Sequence, residues 1–397
     1  MPPAVLTINA GSSSIKFALY QIGVSPRRTL GGKIDRIGLS GTRFSVDNPS
    51  GPSHRSMGID ADSHGSAADF LLRYLVSQPA FSSVKAVGHR VVHGMQYSKP
   101  QRVTSALLAE LRRIAPYDPD HLPREIQLIE AFRRKHPKLS QVACFDTAFH
   151  RAMPPVAKLL PIPARYAAKG LQRYGFHGLS YSFLMEELLR LGDPAAKKGR
   201  VILAHLGNGA SLAAVRDGKS IDTSMGFTPA SGLMMATRSG DLDPGIAGYL
   251  ARLESMSAVQ FEHMVNHASG LLGVSGGSSD VRDLLAKEPT DHRAALALDM
   301  FCYQARKWIG SFAAALGGVD TLVFAGGIGE NAPVIRQRIC RDLAFLGIAI
   351  KPALNAGNSP LISAPDAAVA VRVIHTDEEL MIARSVCALL KIKTKGN

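Results

Sequence analysis

The 397-residue chain has few cysteines: Cys144, Cys302, Cys340 and Cys387 lie far apart and form no CxxC pair. That spacing excludes a disulfide framework and a cysteine metal site. It fits buried thiols in a reducing compartment, so a cytoplasmic protein is expected. No apolar run is long enough for a membrane span, because the most apolar stretch, Ile309 to Ile328, is broken by Gly317, Gly318 and Asp320. It reads as a helix, a turn and a buried strand. Residues 1–10 enter a strand without the basic start and apolar core of a signal peptide. Acidic residues are outnumbered, 32 against 46 Lys plus Arg, for a net charge of +14. The basic residues are scattered, with only short runs such as Arg133 to Lys135, and no RNP, zinc-finger or basic-helix signature accompanies them. The charge is read as attraction for anionic substrates, with no nucleic-acid partner expected.

What is present is a globular α/β composition, 46% hydrophobic with 37 glycines. The length calls for two domains. The chain is organised around Val5 to Leu19, an apolar strand, a small-residue turn and a second strand carrying Lys16. Asn9, Gly11, Ser12, Ser13 and Ser14 leave the turn's amides open to a polyphosphate. An ordinary hairpin with a serine-rich turn is the structural alternative. The pattern is echoed by Val201 to Val215, VILAHLGNGASLAAV, about half the chain later. Two such turns suggest a duplicated fold holding one nucleotide.

In chain order, residues 21–65 carry short strand-like pieces that suit a sheet edge, and Ala67 to Val76 has helical spacing. Val84 to His93 is a strand with Arg90 inside an apolar run, where an arginine must find an anion or a salt bridge. Helices are expected over Ala106 to Ile114 and Arg124 to Lys135. Asp146 ends the short strand Val142 to Asp146, a usual place for a catalytic carboxylate, although a turn aspartate is the alternative. Pro154 to Pro163 is the candidate linker. His177 precedes a helix over Ser180 to Leu191, and His205 leads into Gly207, Asn208 and Gly209, where imidazole and amides could meet a phosphate. Met225 to Gly245 is small and apolar around Arg238, which serves a pocket or pairs with Asp241 or Asp243. In GVSGGSSDVRDLLAKE, Ser278 or Ser279 can cap a helix with Asp280 and Arg282 in its first turn. Thr321 to Phe324 runs into AGGIGEN, expected as strand, glycine loop and helix start. That loop has neither the GxGxxG spacing nor GK[ST]. After a strand over Val369 to Ile374, Thr376 and Glu379 have capping-box spacing, which leaves Glu378 as the functional carboxylate, a candidate for a metal. Arginines, histidines, carboxylates and glycine turns together are what phosphoryl transfer calls for.

NAGSSSIKF, GHRVVHG, FDTAFH, YGFHG, HLGNG, MGFTP, TRSGDLDPG, SSDVRD, GGIGEN and TDEE, in that order, resemble acetate kinase across nearly the whole chain. The resemblance implies an α/β fold of two duplicated ribonuclease H-like domains, of the actin and sugar-kinase type, around a nucleotide cleft, and a homodimer. It implies a first domain over 1–150 joined by the terminal helix 380–397, and a nucleotide-binding domain over 151–379. The reaction implied is reversible transfer from ATP to acetate, with Mg²⁺. By the same resemblance, Asn9, Ser12, Ser14 and Lys16 contact phosphates, while Asn9, Asp146 and Glu378 hold or orient Mg²⁺. Arg90 and Arg238 grip the carboxylate and the planar phosphoryl group, and His177 hydrogen-bonds that group. His205, Asn208 and Gly209 line the phosphate path. Asp280, Val281, Arg282, Gly327, Ile328, Gly329 and Asn331 form the adenosine site. Val92, Phe176 and Pro229 surround the methyl group.

The family's APLHNP turn reads APYDPD here, so Tyr117 replaces a pocket leucine and Asp118 a histidine. Propionate or another small acid is therefore an alternative acceptor. An ATP-driven conformational switch of the same fold is the alternative of another class. It needs neither Arg90 nor Arg238 and usually carries an appended binding module. Tyr117→Leu is expected to raise kcat/KM for butyrate relative to acetate, and an unchanged ratio would put the tyrosine outside the acyl pocket.

Overall fold

The computed structural model describes residues 2–11, 14–38, 41–47 and 55–392, so Ser12 and Ser13 of the opening turn lie outside the described residues. The chain forms two compact units, residues 1–148 with 377–397, and residues 149–376.

In the first unit, β1 (Ala4–Ala10) and β2 (Ser14–Gln21) are the expected opening pair, antiparallel with Asn9 opposite Lys16. The edge pieces become β3 (Arg27–Asp35), β4 (Arg43–Asp47) and β5 (Arg55–Gly58). Three later strands, β6 (Val84–Val91), β7 (Gln101–Arg102) and β8 (Ser140–Phe145), complete a sheet of order β5-β4-β3-β2-β1-β6-β8-β7. All seven residues of β1 are buried, as a central strand covered on both faces requires. The helix His64–Ser77 begins at Ser63, whose hydroxyl and that of Ser66 form a reciprocal capping box. Its Ala67, Leu71 and Leu75 join Leu6, Ile8, Phe17 and Phe132 in the main core of the unit. The last helix, Glu378–Leu390, lies on β1 and β6. Its approach is close enough that a Cβ at Gly88 would come within 2.4 Å of an Ile382 methyl and 2.6 Å of a Val386 methyl.

The second unit has β9 (Arg200–Leu206), β10 (Ala210–Arg216), β11 (Lys219–Thr223), β12 (Thr321–Ala325) and β13 (Ala370–Val373), in the order β11-β10-β9-β12-β13. Three antiparallel neighbours are followed by two parallel ones. The same order and directions occur in β3-β2-β1-β6-β8 of the first unit. The duplication hinted at by two similar turns is thus a duplication of sheet topology. The helix Gly178–Arg190 packs Tyr181, Leu184 and Leu188 on this sheet beside Leu203, Ala213 and Val323. The apolar stretch around residue 309 forms the end of the helix His292–Leu316, the Gly317 turn and β12, as expected.

The proline-rich stretch 154–163 is not a linker. The division falls ahead of it, and Pro155 opens a short helix within the second unit, where Arg173 N–H reaches Lys158 O at 2.7 Å. Gly88→Ala is expected to lower stability by about 1–3 kcal/mol through overpacking against Ile382 and Val386. A thermal melt that does not move would mean that the helix yields freely.

Candidate active site

In the first unit the parallel strands β6 and β8 end side by side, and their ends carry Arg90 and Asp146. Arg90 Nη2 and Nε donate to Asp146 Oδ2 at 2.6 and 2.9 Å, while Nη1 reaches Asn9 Oδ1 and Ala10 O at 3.3 Å each. The salt bridge weighed for Arg90 is therefore present, and it places the guanidinium at the first turn. Asn9 passes the connection on, its Nδ2 donating to Glu378 Oε2 at 2.8 Å and Glu379 Oε1 at 3.1 Å. Burial pushes the Asp146 carboxyl upward, with Arg90 opposing and Glu378 adding to the rise. Burial likewise raises Glu379, opposed by Lys16. Asp146 Oδ1 is buried without a hydrogen-bond partner. Two crowded carboxylates, Asp146 and Glu378, beside one guanidinium, with an orphaned carboxylate oxygen and the Asn9 amide oxygen, suit a hard divalent cation. Among the described residues no three His, Cys, Asp or Glu side chains close into a cage. Mg²⁺ held by one or two carboxylates together with phosphate oxygens does not need one. Lys16 is exposed on β2, and Ser14 O closes the turn by accepting from Gly11 N–H at 2.8 Å.

Glu379, expected from its spacing to serve a capping box with Thr376, does not do so. The cap is Asp377, whose side chain accepts from Leu380 N–H at 2.8 Å. The Thr376 hydroxyl is engaged with Ser180 Oγ at 2.8 Å instead, which frees Glu379 for Asn9. Glu125 was also missed. It sits on the inward face of the helix Leu122–Lys135, and both its oxygens accept from Val92 N–H, at 3.1 and 3.2 Å. Burial holds its carboxyl well above the ordinary range, against the pull of Arg90. Its signal in the sequence was an acid among the helix's apolar positions Leu122, Ile126 and Ile129. Asp118 is buried, with one oxygen 2.8 Å from His121 Nδ1 and the other unpartnered. Tyr117 is half-buried against the cluster of Leu107, Leu111, Ile114 and Phe145.

In the second unit, His177 takes a left-handed conformation (φ 58°) just before its helix. Its Nδ1 is fixed by Ser211 Oγ at 2.8 Å, and its ring stacks on His205 with centroids 4.2 Å apart. His205 Nδ1 is fixed in turn by Ser180 Oγ at 2.8 Å. A Cβ at Gly209 would lie 3.4 Å from His177 Nε2 and 3.6 Å from Arg238 Nη1, so a cation and an imidazole converge on the glycine turn between β9 and β10. Arg238 donates to Pro229 O at 3.2 Å. Asp241 and Asp243 accept from the amides of Gly232 and Gly245. Phe176 is buried in this unit and Pro229 half-buried.

One cavity of about 510 Å³ brings together Asn208, Asp280, Val281, Arg282, Gly327, Ile328 and Asn331, with Gly207, Leu285 and Val334. Gly329 does not line it, being buried against Phe324 of β12 and Ala204 of β9. AGGIGEN is not a loop leading to a helix. Gly326–Asn331 is itself a short helix that follows β12 directly, made possible by the positive φ of Gly326. Nor does Ser278 or Ser279 cap the next element. Asp280 is the cap of the helix Val281–Lys287, accepting from Arg282 N–H at 2.8 Å, while the Ser278 hydroxyl accepts from Asp280 N–H and donates to Asp283.

A model of the acetokinase family matches residues 4–384. The chain is 44% identical over 395 residues to an acetate kinase of Rhodopseudomonas palustris strain TIE-1, covering 98% of this chain and 99% of that one. It is 43% identical over 396 residues to a propionate kinase of Citrobacter freundii, covering 98% and 97%. Its structure resembles the crystal structure of Porphyromonas gingivalis acetate kinase with a TM-score of 0.86 at 37% identity, over 98% of this chain and all of that one.

Because the folded state keeps Glu125 protonated to higher pH than the unfolded chain does, its contribution to stability is full in acid and fades as pH rises towards the folded-state value. Glu125→Gln keeps an acceptor for Val92 N–H and removes that titration. Melting temperatures followed from acid to mildly alkaline pH should fall less steeply for the variant. Parallel curves would mean that Glu125 is ionised in the fold.

Proposed function

We propose how phosphoryl transfer is carried by this chain, which belongs to the acetokinase family: a reversible transfer of the ATP γ-phosphoryl group to acetate, giving acetyl phosphate and ADP. The protein has the actin and sugar-kinase type of fold, and its acceptor is a carboxyl group. Asp280, Val281, Arg282, Gly327, Ile328 and Asn331 take the nucleoside, on the strength of the cavity they share. Asn208, Gly209 and His205 take the phosphates at the turn between β9 and β10, and Asn9, Ser14 and Lys16 at the turn between β1 and β2. The residues offered to the acyl group are Val92, Tyr117, Phe176 and Pro229.

The observation that carries the reading is the convergence of Arg238 Nη1 and His177 Nε2 on Gly209. The transition state is loose, with charge spread over the equatorial oxygens of the moving group, so catalysis is position and charge. Arg238 neutralises those oxygens, and His177, its Nδ1 held by Ser211, presents Nε2 to them. Arg90 orients the acetate carboxylate and keeps Asp146 aligned through its two hydrogen bonds. Asn9, Asp146 and Glu378 would hold Mg²⁺, which when bound supplies neutralisation of phosphate charge. No covalent intermediate on the protein is required. Propionate is the alternative acceptor, favoured by the near-equal likeness to a propionate kinase. We further assign the protein to the cytoplasm as a homodimer that takes no nucleic acid. Its four free cysteines support the compartment, and no described helix is long and apolar enough to cross a membrane.

Arg238→Ala is expected to lower kcat by about 10²–10³-fold, the scale of losing one preorganised charge-stabilising group. The Kd for MgADP, read by calorimetry, should stay close to that of the unaltered chain. Equal losses in both would remove Arg238 from the transition state.

A further inference from the structure

Glu330 and Arg336 meet at the helix Gly326–Asn331, which presents Gly327, Ile328 and Asn331 to the nucleoside cavity. Arg336 is 0% exposed. Its guanidinium donates to Gly329 O and Glu330 O at 2.8 and 3.0 Å, to Asn355 Oδ1 and Asn355 O at 2.8 Å each, and to Asn358 Oδ1 at 2.6 Å. These five acceptors are neutral, so each matters to a charge taken fully out of water. Through the first two, Arg336 fastens the far end of the six-residue helix.

Glu330 reaches back to the near end. Its Oε1 accepts from Gly326 N–H at 2.8 Å and Thr376 N–H at 3.1 Å, and its Oε2 lies 2.8 Å from His375 Nδ1. The glycine it holds is under constraint. Gly326 has φ +75°, and a Cβ there would come 2.7 Å from Leu206 O, at the end of β9 where the Gly207–Asn208 wall of the cavity begins. A helix of six residues does not hold its shape by its own hydrogen bonds. Glu330 and Arg336 hold it from its two ends, and Glu330 also ties it to the residues that follow β13.

We propose that Glu330 and Arg336 are positioning residues for the nucleotide, with Glu330 setting the spacing between the 326–331 wall and the 207–208 wall of the cavity. This rests on the assignment of the cavity to the nucleoside. Neither side chain touches the nucleotide; each acts through Gly327, Ile328 and Asn331.

ADP binding by calorimetry on the full chain, with kcat and KM for acetate measured alongside, separates the two claims. A wild-type chain that binds no ADP would overturn the cavity assignment and the positioning role with it. Where the wild type binds, Glu330→Ala is expected to raise the ADP Kd about tenfold, the equivalent of one or two lost hydrogen bonds, and to leave KM for acetate within about twofold. Glu330→Gln keeps the Oε1 acceptor for Gly326 and Thr376 and is expected to restore most of the affinity. A Glu330→Ala chain with unchanged ADP affinity, or one whose acetate KM rises in step, overturns the role. Should Glu330→Ala fail to fold, Glu330→Asp withdraws the carboxylate by one methylene at constant charge and carries the same expectation and the same contradiction.

Discussion

The buried pair of Arg90 and Asp146 is the constraint on which the first unit depends. Removing two charges from water costs several kcal/mol for each, and only close, multiple hydrogen bonds offset it. Here Asp146 receives two from Arg90, and the arginine's remaining reach goes to Asn9 and Ala10. That in turn orients the Asn9 amide towards Glu378 and Glu379, so four segments distant in sequence are locked at one point. A pair kept only for stability could be replaced by apolar side chains. One that leaves Asp146 Oδ1 buried without a hydrogen-bond partner is not explained by stability alone.

The two units use one sheet topology for different chemistry. Where the first unit ends its parallel strands in Arg90 and Asp146, the second ends them in Gly326 and, after β13, in His375 and Thr376. Charged groups occupy one set of strand ends. The other set holds Gly326 and Thr376, whose N–H groups donate to Glu330, and His375 beside the same carboxylate. The turn between the first two strands of each unit is built of small residues in both, Gly-Ser-Ser at 11–13 and Gly-Asn-Gly at 207–209.

Much of this was legible in the residues. Both opening strand pairs, the helix at residues 64–77 and the strands at 84–91, 321–325 and 370–373 follow from apolar runs bounded by turn residues. Misreadings came where one polar residue was credited with a job that its neighbour performs. Asp377 and Asp280 cap helices assigned to Thr376 and to Ser278 or Ser279, because a cap is decided by which side chain reaches an amide, and one-residue offsets look alike in sequence. Glu125 and Arg336 escaped notice because buried charge on a helix looks like ordinary surface charge until the helix is placed. The AGGIGEN helix was hidden by its glycines, which weaken helix propensity while Glu330 and Arg336 supply what it lacks.

The reaction proposed is transfer between MgATP and a small carboxylate. The most direct measurement is the initial rate with MgATP and formate, acetate, propionate, butyrate or glycolate, with the acyl phosphate trapped by hydroxylamine. A clear maximum at acetate, with propionate next, is the predicted result. ATP hydrolysis without acyl phosphate, or no product with any of the acids, would contradict it.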